Sequence, residues 1–306
     1  MTRTDPMKQR ATSAQLVVRP GRFEFSDATS AHWIADKPEL SQMINGASLV
    51  MPFLEPFLIS SIQGARPQIA DPHLDTDAAD FCGQEMQHAR THRRFNATLT
   101  SKGYGKIAGL EARMRADYAK LQQRPLADRL AYTAGFEAMT LGVTKWIVNQ
   151  REPLFAKADP AMASFILWHM VEETEHKCVA FDVYQAVSPG YARRVWGVLA
   201  GSLHVIRLSR AGYEILLRHD QLWSRPGSRL RVWAHAMVFV WHALPFLIRA
   251  ALPGHDPRHE TDLDWVREWI EGYDALVAHS GEPQAMPVID PAAPGMPPPC
   301  VGVQAA

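Results

Sequence analysis

The sequence predicts an all-α protein, and three observations support that fold class. Helical hydrophobic periodicity begins after Pro38 and continues almost to residue 280. Short turn segments such as SPG and SRPGS interrupt it at helix-length intervals. Four of the predicted helices each carry a glutamate on an otherwise apolar face. We therefore expect a four-helix bundle with an N-terminal extended arm and additional C-terminal helices.

Length, composition and charge are those of an ordinary soluble globular protein. The chain has 306 residues, of which 47% are hydrophobic and 21% charged. Because 32 basic residues balance 32 acidic ones and no basic block occurs, we predict no nucleic-acid partner. The three cysteines lack paired spacing, and the N-terminus lacks an apolar signal-peptide core. We therefore expect a cytoplasmic protein with reduced thiols.

The chain is predicted to divide into four segments. Residues 1–36 form the arm, 37–187 the bundle and 188–280 a helical cover packed on the bundle. Residues 281–306 contain seven prolines and few apolar anchors, so we expect a disordered tail. The predicted helices cover residues 38–65, 76–101, 105–123, 126–150, 160–187, 190–219, 228–252 and 262–279.

One predicted helix raises the question of a membrane. Residues 232–252 are apolar and long enough to cross a bilayer. They also hold His235, His242 and Arg249, and charge at the bilayer midplane is costly. We interpret the segment as an amphipathic helix buried against the bundle. Association of residues 190–252 with a membrane surface, and formation of a homodimer, are the alternatives left open.

The segment WHMVEETEHK, residues 168–177, places charge in the middle of an apolar helix. At about 100° per residue, His169, Glu173 and His176 share one face of that helix, which otherwise points inward. A buried charge must be paired or bound to a metal, because isolating it is very costly. Glu173 and His176 therefore form a good chelating pair for iron, manganese or zinc.

The same pattern recurs on other predicted helices. Glu85 and His88 repeat the Glu-x-x-His spacing, and His92 follows one turn later. Glu55 and Glu137 are solitary acids on apolar faces. The order Glu, Glu-x-x-His, Glu, Glu-x-x-His is the inward-facing ligand set of ferritin-like di-metal bundles. We therefore expect these side chains to converge on two cations.

The lengths of the predicted helices support this convergence. About ten residues follow Glu55 in its helix, and about nine precede Glu85 in the next. The corresponding lengths are about twelve residues after Glu137 and thirteen before Glu173. Each antiparallel hairpin thus sets its two glutamates at nearly the same height. The extra helix between residues 85 and 137 supplies the crossover that parallel-running helices require.

Several motifs of the chain resemble a known family. MPFLEPFL, DFCGQEMQHARTH, FEAMT and LWHMVEETEHKCVAFDVY resemble the bacterial predicted metal-dependent hydrolases, over roughly residues 15–270. The resemblance implies a ferritin-like fold, although prolines at 52 and 56 predict a kink beside Glu55. His169 is similar to the third histidine ligand of p-aminobenzoate N-oxygenase-type di-iron enzymes. Together the two likenesses imply seven metal ligands: Glu55, Glu85, His88, Glu137, His169, Glu173 and His176.

Function is predicted from this ligand set. The leading hypothesis is an O2-dependent oxidase or oxygenase that acts on a small organic substrate with two iron ions, with manganese or a mixed Mn/Fe pair as alternatives. A second is a hydrolase in which a metal-bound hydroxide attacks and Glu172 acts as base. A third is a non-catalytic metal-binding bundle. Glu172 and His92 are predicted either to orient ligands or relay protons, or to have a solvent-facing or packing role.

Overall fold

The computed structural model describes residues 16–26 and 28–299. All regular secondary structure in these residues is helical, and the first helix begins at Pro38. In these residues β-type pairing is confined to an isolated antiparallel bridge between Ile34 and Ala158. The prediction of an all-α protein is therefore confirmed. The α-helices are α1 (Pro38–Ser48), α2 (Met51–Ala65), α3 (Pro72–Ser101), α4 (Ile107–Gln122), α5 (Leu126–Asn149), α6 (Arg151–Phe155), α7 (Pro160–Glu175), α8 (Val179–Val187), α9 (Tyr191–His219), α10 (Pro226–Ala251) and α11 (Asp264–Ser280).

Local chemistry explains where the helices begin and end. Proline lies in the first turn of α1, α2, α3, α7 and α10, where its missing N–H is not needed. The Asp71 and Asp159 carboxylates accept the backbone N–H of His73 and Met162, which caps α3 and α7. Gly103 follows α3 with φ of 93°, a left-handed conformation that favours glycine.

Two helices that were predicted as continuous are broken in the structure. The predicted helix 38–65 is divided at Leu49 and Val50. Pro52 explains this break, because proline cannot donate an N–H to the preceding turn and is most favourable in the first turn of a helix. The predicted helix 160–187 is divided after Glu175, where His176 leaves the helical conformation at φ −96° and ψ 9°. Its imidazole thereby turns toward α3.

The helices that carry the predicted ligands pack against one another. Helix α2 contacts α3 and α5, helix α5 contacts α7 and α8, and α3 contacts α8. We call these five helices the bundle. Helices α9 and α10 both pack on α5 and on α1. The α5–α9 approach is very close, because a Cβ atom on Gly197 would lie 1.9 Å from the Ala131 carbonyl oxygen. Only glycine fits at that crossing.

The C-terminal segment differs from its prediction. Met286, Ile289 and Met296 are buried, so residues 281–299 pack on the rest of the protein. The Ile289 backbone N–H donates to Ser164, and the Trp265 indole donates to the Met296 carbonyl oxygen. The prediction of disorder is wrong for this part, because a few apolar side chains anchor the prolines. Residues 300–306 and 1–15 lie outside the described residues, and the boundaries between the four predicted segments stay predictions.

Helix α10 also differs from its prediction. Its buried residues are Ser228, Val232, Ala243 and Ala250, which mark a single narrow face. The prediction that the helix is buried against the bundle is therefore wrong for most of its surface. Trp241, for example, is 77% exposed. Apolar side chains occur on more than one face of this helix, and a sequence pattern alone does not show which of those faces the protein covers.

Candidate metal centre

The seven predicted ligands lie close together inside the bundle. Helix α2 provides one of them, α3 two, α5 one and α7 two, and the seventh follows α7 directly. All seven side chains are buried. In groups of three or four, their ligand atoms lie within 4.8 Å of one another. The structure thus brings together Glu55, Glu85, His88, Glu137, His169, Glu173 and His176. That they bind metal stays a prediction.

The ligand atoms form two overlapping clusters. One consists of Glu85, Glu137, Glu173 and His176. The other is described by two groups of three, one of Glu55, Glu85 and His88 and one of His88, His169 and Glu173. Two carboxylates, those of Glu85 and Glu173, belong to both clusters. The geometry therefore suits two neighbouring cations that share two carboxylates.

Unpartnered polar atoms show that the centre fits metal ions. Both carboxylate oxygens of Glu55 and of Glu85 are buried and have no hydrogen-bond partner among the described residues. The same is true of Glu137 Oε1 and His88 Nδ1. The nearest imidazole nitrogens lie 3.3 Å from Glu85 Oε1 and 3.9 Å from Glu55 Oε1. Buried polar groups almost always have hydrogen bonds, and a buried carboxylate without one is very costly. Four carboxylates and three imidazoles are donors that suit iron, manganese or zinc.

The pKa values of the carboxyl groups reflect this crowding. Burial, together with neighbouring carboxylates, raises the pKa of Glu55 and of Glu137 well above the usual range. Burial would also raise the pKa of Glu173, but the charges and hydrogen bonds of His176 and His169 outweigh it and hold that pKa well below its usual value. The centre therefore concentrates acidic groups that a cation would stabilise in the ionised form.

Each of the three ligand imidazoles has one ring nitrogen that faces the four carboxylates of the centre. Its other nitrogen makes a hydrogen bond with a side chain outside the seven predicted ligands. A ring nitrogen that binds a metal must be unprotonated, so the opposite nitrogen carries the proton and donates it to a partner. The three contacts are His88 Nε2 with Glu172 Oε2 at 2.9 Å, His176 Nδ1 with Gln84 Oε1 at 2.8 Å and His169 Nδ1 with His92 Nε2 at 2.9 Å. This arrangement fixes the orientation of all three rings.

A buried arginine from the extended arm completes this support. Arg19 donates two hydrogen bonds to Glu175, at 2.6 and 2.9 Å, and its Nη1 lies 3.4 Å from Glu172 Oε1. Gln84 Nε2 also donates to Glu175, at 3.0 Å. The arginine thus connects the partners of His88 and His176. Neither Arg19 nor Gln84 was predicted from the sequence. Glu175 could have indicated such partners, because it is an additional acid beside the predicted ligands and needs a hydrogen-bond donor of its own.

Glu172 does not occupy the position of a catalytic base. One of its oxygens accepts from His88, and the other faces Arg19. It therefore lies behind the imidazole, away from the carboxylates of the centre. The predicted role as hydrolytic base is not supported by this position. The predicted orienting role fits the geometry and stays a prediction.

His92 links the centre to a chain of hydrogen bonds. Its Nδ1 lies 2.8 Å from Ser48 Oγ, and Ser48 Oγ donates to Asn96 Oδ1 at 2.7 Å. Burial and the neighbouring imidazoles of His169 and His88 lower the pKa of His92 well below its usual value, so the ring is neutral. With a metal ion on His169 Nε2, a neutral His92 would accept a hydrogen bond from His169 Nδ1–H and donate its own N–H to Ser48.

An apolar cavity of about 370 Å³ meets the centre at His92, His169 and Glu173. Its remaining walls come mostly from apolar side chains of α1, α5, α7, α9 and α10, including Met139, Ile166 and Phe239. Ligand sites typically combine an apolar pocket of this size with a few polar groups. The polar end of this cavity is the candidate metal centre.

Comparison with known proteins adds one match. A family model described as "predicted metal-dependent hydrolase" matches residues 17–261. That range contains Arg19, all seven side chains of the centre and the whole of α10. Neither the curated proteins nor the solved structures gave a match.

Proposed function

The chain belongs to the predicted metal-dependent hydrolase family, and we propose that it is an enzyme that works with two metal ions. The observation that carries this proposal is the set of buried, unpartnered carboxylate oxygens that face three imidazoles whose far nitrogens are already held. An arrangement built for packing alone would leave those oxygens unsatisfied. We also propose that the bundle is ferritin-like, since it presents the ligand order of that class.

The residues divide naturally between the two ions. Glu85 and Glu173 would bridge them, because both belong to each cluster. Glu137 and His176 would hold one ion, and Glu55, His88 and His169 the other. When bound, the ions would act as Lewis acids on a substrate oxygen and lower the pKa of water or, in the case of iron, exchange electrons with dioxygen.

The cavity indicates the class of substrate. Its walls are largely apolar, and its charged or imidazole side chains are His92, His169 and Glu173 at the centre together with Arg210 and His235. Such a pocket binds an apolar body and orients it through a few polar contacts. We propose a small, largely apolar organic substrate whose reactive group lies beside His169 and Glu173.

Hydrolysis is the first candidate reaction, because the family description names it. It requires a group that accepts a proton from water. Glu172 is held behind His88, but Glu55 forms a group with His92 and His169, two residues that line the cavity. One oxygen of Glu55 would bind an ion while the other accepts the proton, since neither oxygen has a hydrogen-bond partner within the described chain.

Oxidation with dioxygen is the second candidate, and the donor set favours it. Four carboxylates with two Glu-x-x-His pairs are typical of di-iron and di-manganese proteins. Carboxylates suit the ferric state, and imidazoles suit ferrous iron as well. The chain's own contribution would be to position the substrate in an apolar cavity beside the ions, which are iron, manganese or one of each in this proposal.

Reconstitution with different metals tests the proposal and separates the two reactions. Metal-depleted protein would be loaded without oxygen with ferrous iron, manganese or zinc, then assayed for p-nitrophenyl ester hydrolysis and for oxygen uptake. Ester turnover with zinc and no oxygen uptake would indicate hydrolysis. Oxygen uptake with iron and none with zinc would indicate oxidation. A protein that binds none of the three metals would contradict the proposed function.

A further inference from the structure

The outward side of α10 is an exposed apolar stripe. Six side chains recur at helical spacing along it, and their exposed fractions range from 48% to 77%. They are Leu230, Trp233, Met237, Trp241, Leu244 and Ile248, and we call them the α10 face. Helix α10 is apolar and long enough to cross a membrane, yet only 11% of its most apolar window is buried. Exposed apolar surfaces of this extent mark an interaction site.

Basic side chains accompany this face. Residues 190–252 contain nine arginines and two acidic residues, although charge is balanced over the whole chain. Four exposed arginines form no ion pair with another described residue: Arg207 and Arg210 on α9, Arg225 just before α10, and Arg229 in its first turn. An apolar stripe with tryptophan, next to unpaired arginines, is the pattern of helices that lie in a membrane interface.

The cavity of the metal centre opens on the same side of the protein. Trp233 belongs to the α10 face and also lines the cavity, and it is 57% exposed. Arg210 lines the cavity and is exposed as well. The same cavity is also lined by Phe239 and, at the candidate metal centre, by His169 and Glu173. A molecule at the α10 face therefore has an apolar path to the candidate metal centre.

We infer that the α10 face docks on the surface of an anionic lipid membrane, and that the cavity receives the apolar chain of a membrane-dissolved amphiphile. Arg210 at the cavity mouth would contact the amphiphile's anionic head group. The second half of this inference rests on the proposed function, since it assigns that site a substrate class. The first half depends only on the surface.

The structure favours docking over spanning or self-association. Val232, Ala243 and Ala250 are buried along nearly the whole length of α10, and the helix packs on α5 and α1. A helix fixed to the bundle in this way lies on a membrane instead of crossing it. A symmetric contact between residues 190–252 of two copies would offer few acidic groups to the unpaired arginines, because the only acids in that range are Glu214 and Asp220. Glu214 already pairs with Arg218, and Asp220 contacts His32.

Vesicle sedimentation of the full chain tests the docking surface. We expect binding to vesicles of equal parts phosphatidylglycerol and phosphatidylcholine, and much weaker binding to phosphatidylcholine alone. Trp241→Asp should weaken binding at least about tenfold, and Arg229→Glu about fivefold. Val288→Asp, at an exposed apolar residue outside the α10 face, is the matched control and should bind like the wild type.

The docking inference is overturned if the wild-type protein does not bind anionic vesicles, or if Trp241→Asp binds them as strongly as the wild type does. Light scattering adds a further decisive outcome. One such result is a wild type that is a dimer and does not bind vesicles, with Trp241→Asp a monomer. That result would identify a second copy of the chain as the partner and would contradict membrane docking.

Binding of a fluorescent fatty acid tests the cavity. We expect saturable binding of cis-parinaric acid, and at least about tenfold weaker binding when Ala236→Trp fills the cavity near its mouth. Glu152→Gln, at an exposed glutamate on α6 outside the cavity lining, is the control and should bind the probe normally with or without added metal. Equal binding by Ala236→Trp would refute the inference. Normal probe binding together with absent metal in the wild type would instead refute only the proposed function.

Discussion

Arg19 and Glu175 form a two-point ion pair, with distances of 2.6 and 2.9 Å, although 156 residues separate them in the chain. The guanidinium also lies above the rings of Trp269 and Tyr273, at 5.5 and 5.3 Å from their centroids. Through Glu172, it supports the contact that orients His88. The extended arm is therefore part of the structure that shapes the candidate metal centre.

Arg19→Lys should weaken metal binding by about tenfold, because ligand-orienting partners typically contribute 10- to 100-fold to affinity. Lysine keeps the charge but cannot make the two-point contact. The measurement is a competition titration against a chelator. Arg22→Gln, a change at a half-exposed arginine of the same arm, should leave affinity unchanged. Equal affinity for Arg19→Lys and wild type would contradict the role given to the arm.

Glu172→Gln distinguishes an orienting residue from a catalytic base. The amide oxygen can still accept from His88 but without the carboxylate charge, so metal affinity should fall about tenfold. Turnover measured at saturating metal should then recover most of the wild-type value. A base would behave differently: affinity would be unchanged and turnover would be lost at every metal concentration.

Replacement of single ligands should remove ions in a defined pattern. Glu137→Ala should leave about one ion per chain, because Glu137 belongs to one cluster, whereas Glu173→Ala should leave none, because Glu173 belongs to both. Elemental analysis after desalting measures this. Glu152→Gln, at an exposed glutamate on α6, is the control and should load fully. Identical metal content in all three variants would refute the shared-carboxylate arrangement.

The α5–α9 crossing gives a prediction about stability. Gly197→Ala places a methyl group 1.9 Å from a backbone oxygen, so the helices must separate, and the free energy of unfolding should fall by more than about 3 kcal/mol. On α4, the added methyl group of Gly109→Ala would meet no neighbouring atom of the described residues within 4 Å, and this change should stabilise the protein by about 0.5–1 kcal/mol. Urea denaturation of both variants checks this. Similar effects from both changes would contradict the close packing.

Asp220 gives a prediction about pH. Burial alone would raise the pKa of Asp220, but hydrogen bonds from His32, Tyr104 and Gln42 outweigh it and hold the pKa below its usual 3.8. The stabilisation is therefore present above pH 3.8 and is lost as the pH falls through the lower folded-state pKa. Asp220→Asn should lower the free energy of unfolding by about 1.5–3 kcal/mol at pH 7 and have progressively less effect below pH 3.8. Urea unfolding across pH measures it; an effect independent of pH would disprove it.

Much of the candidate centre was predictable because its residues obey helical spacing. Glu85 with His88, and Glu173 with His176, share a helix face within one turn. The seven side chains therefore converge as expected even though Pro52 and Pro56 flank Glu55. Helix α2 runs continuously from Met51 to Ala65, and Glu55 still faces the centre.

Other features were not predictable, because they depend on contacts between distant segments. Arg19 lies in an arm without helical periodicity, and only the folded chain brings it to Glu175. Met286 and Met296 anchor a proline-rich segment whose composition alone indicates disorder. Trp241 is as apolar as a core residue, and its 77% exposure depends on how α10 packs. The equal numbers of acidic and basic residues in the whole chain also give no indication that unpaired arginines lie beside that helix.

Metal stoichiometry tests the central claim most directly. Wild-type protein, loaded without oxygen with an excess of ferrous iron and then desalted, would be analysed for metal and for protein by amino-acid content. The two overlapping clusters predict about two ions per chain. A value near zero, or metal that stays fully bound after Glu173→Ala, would contradict the account.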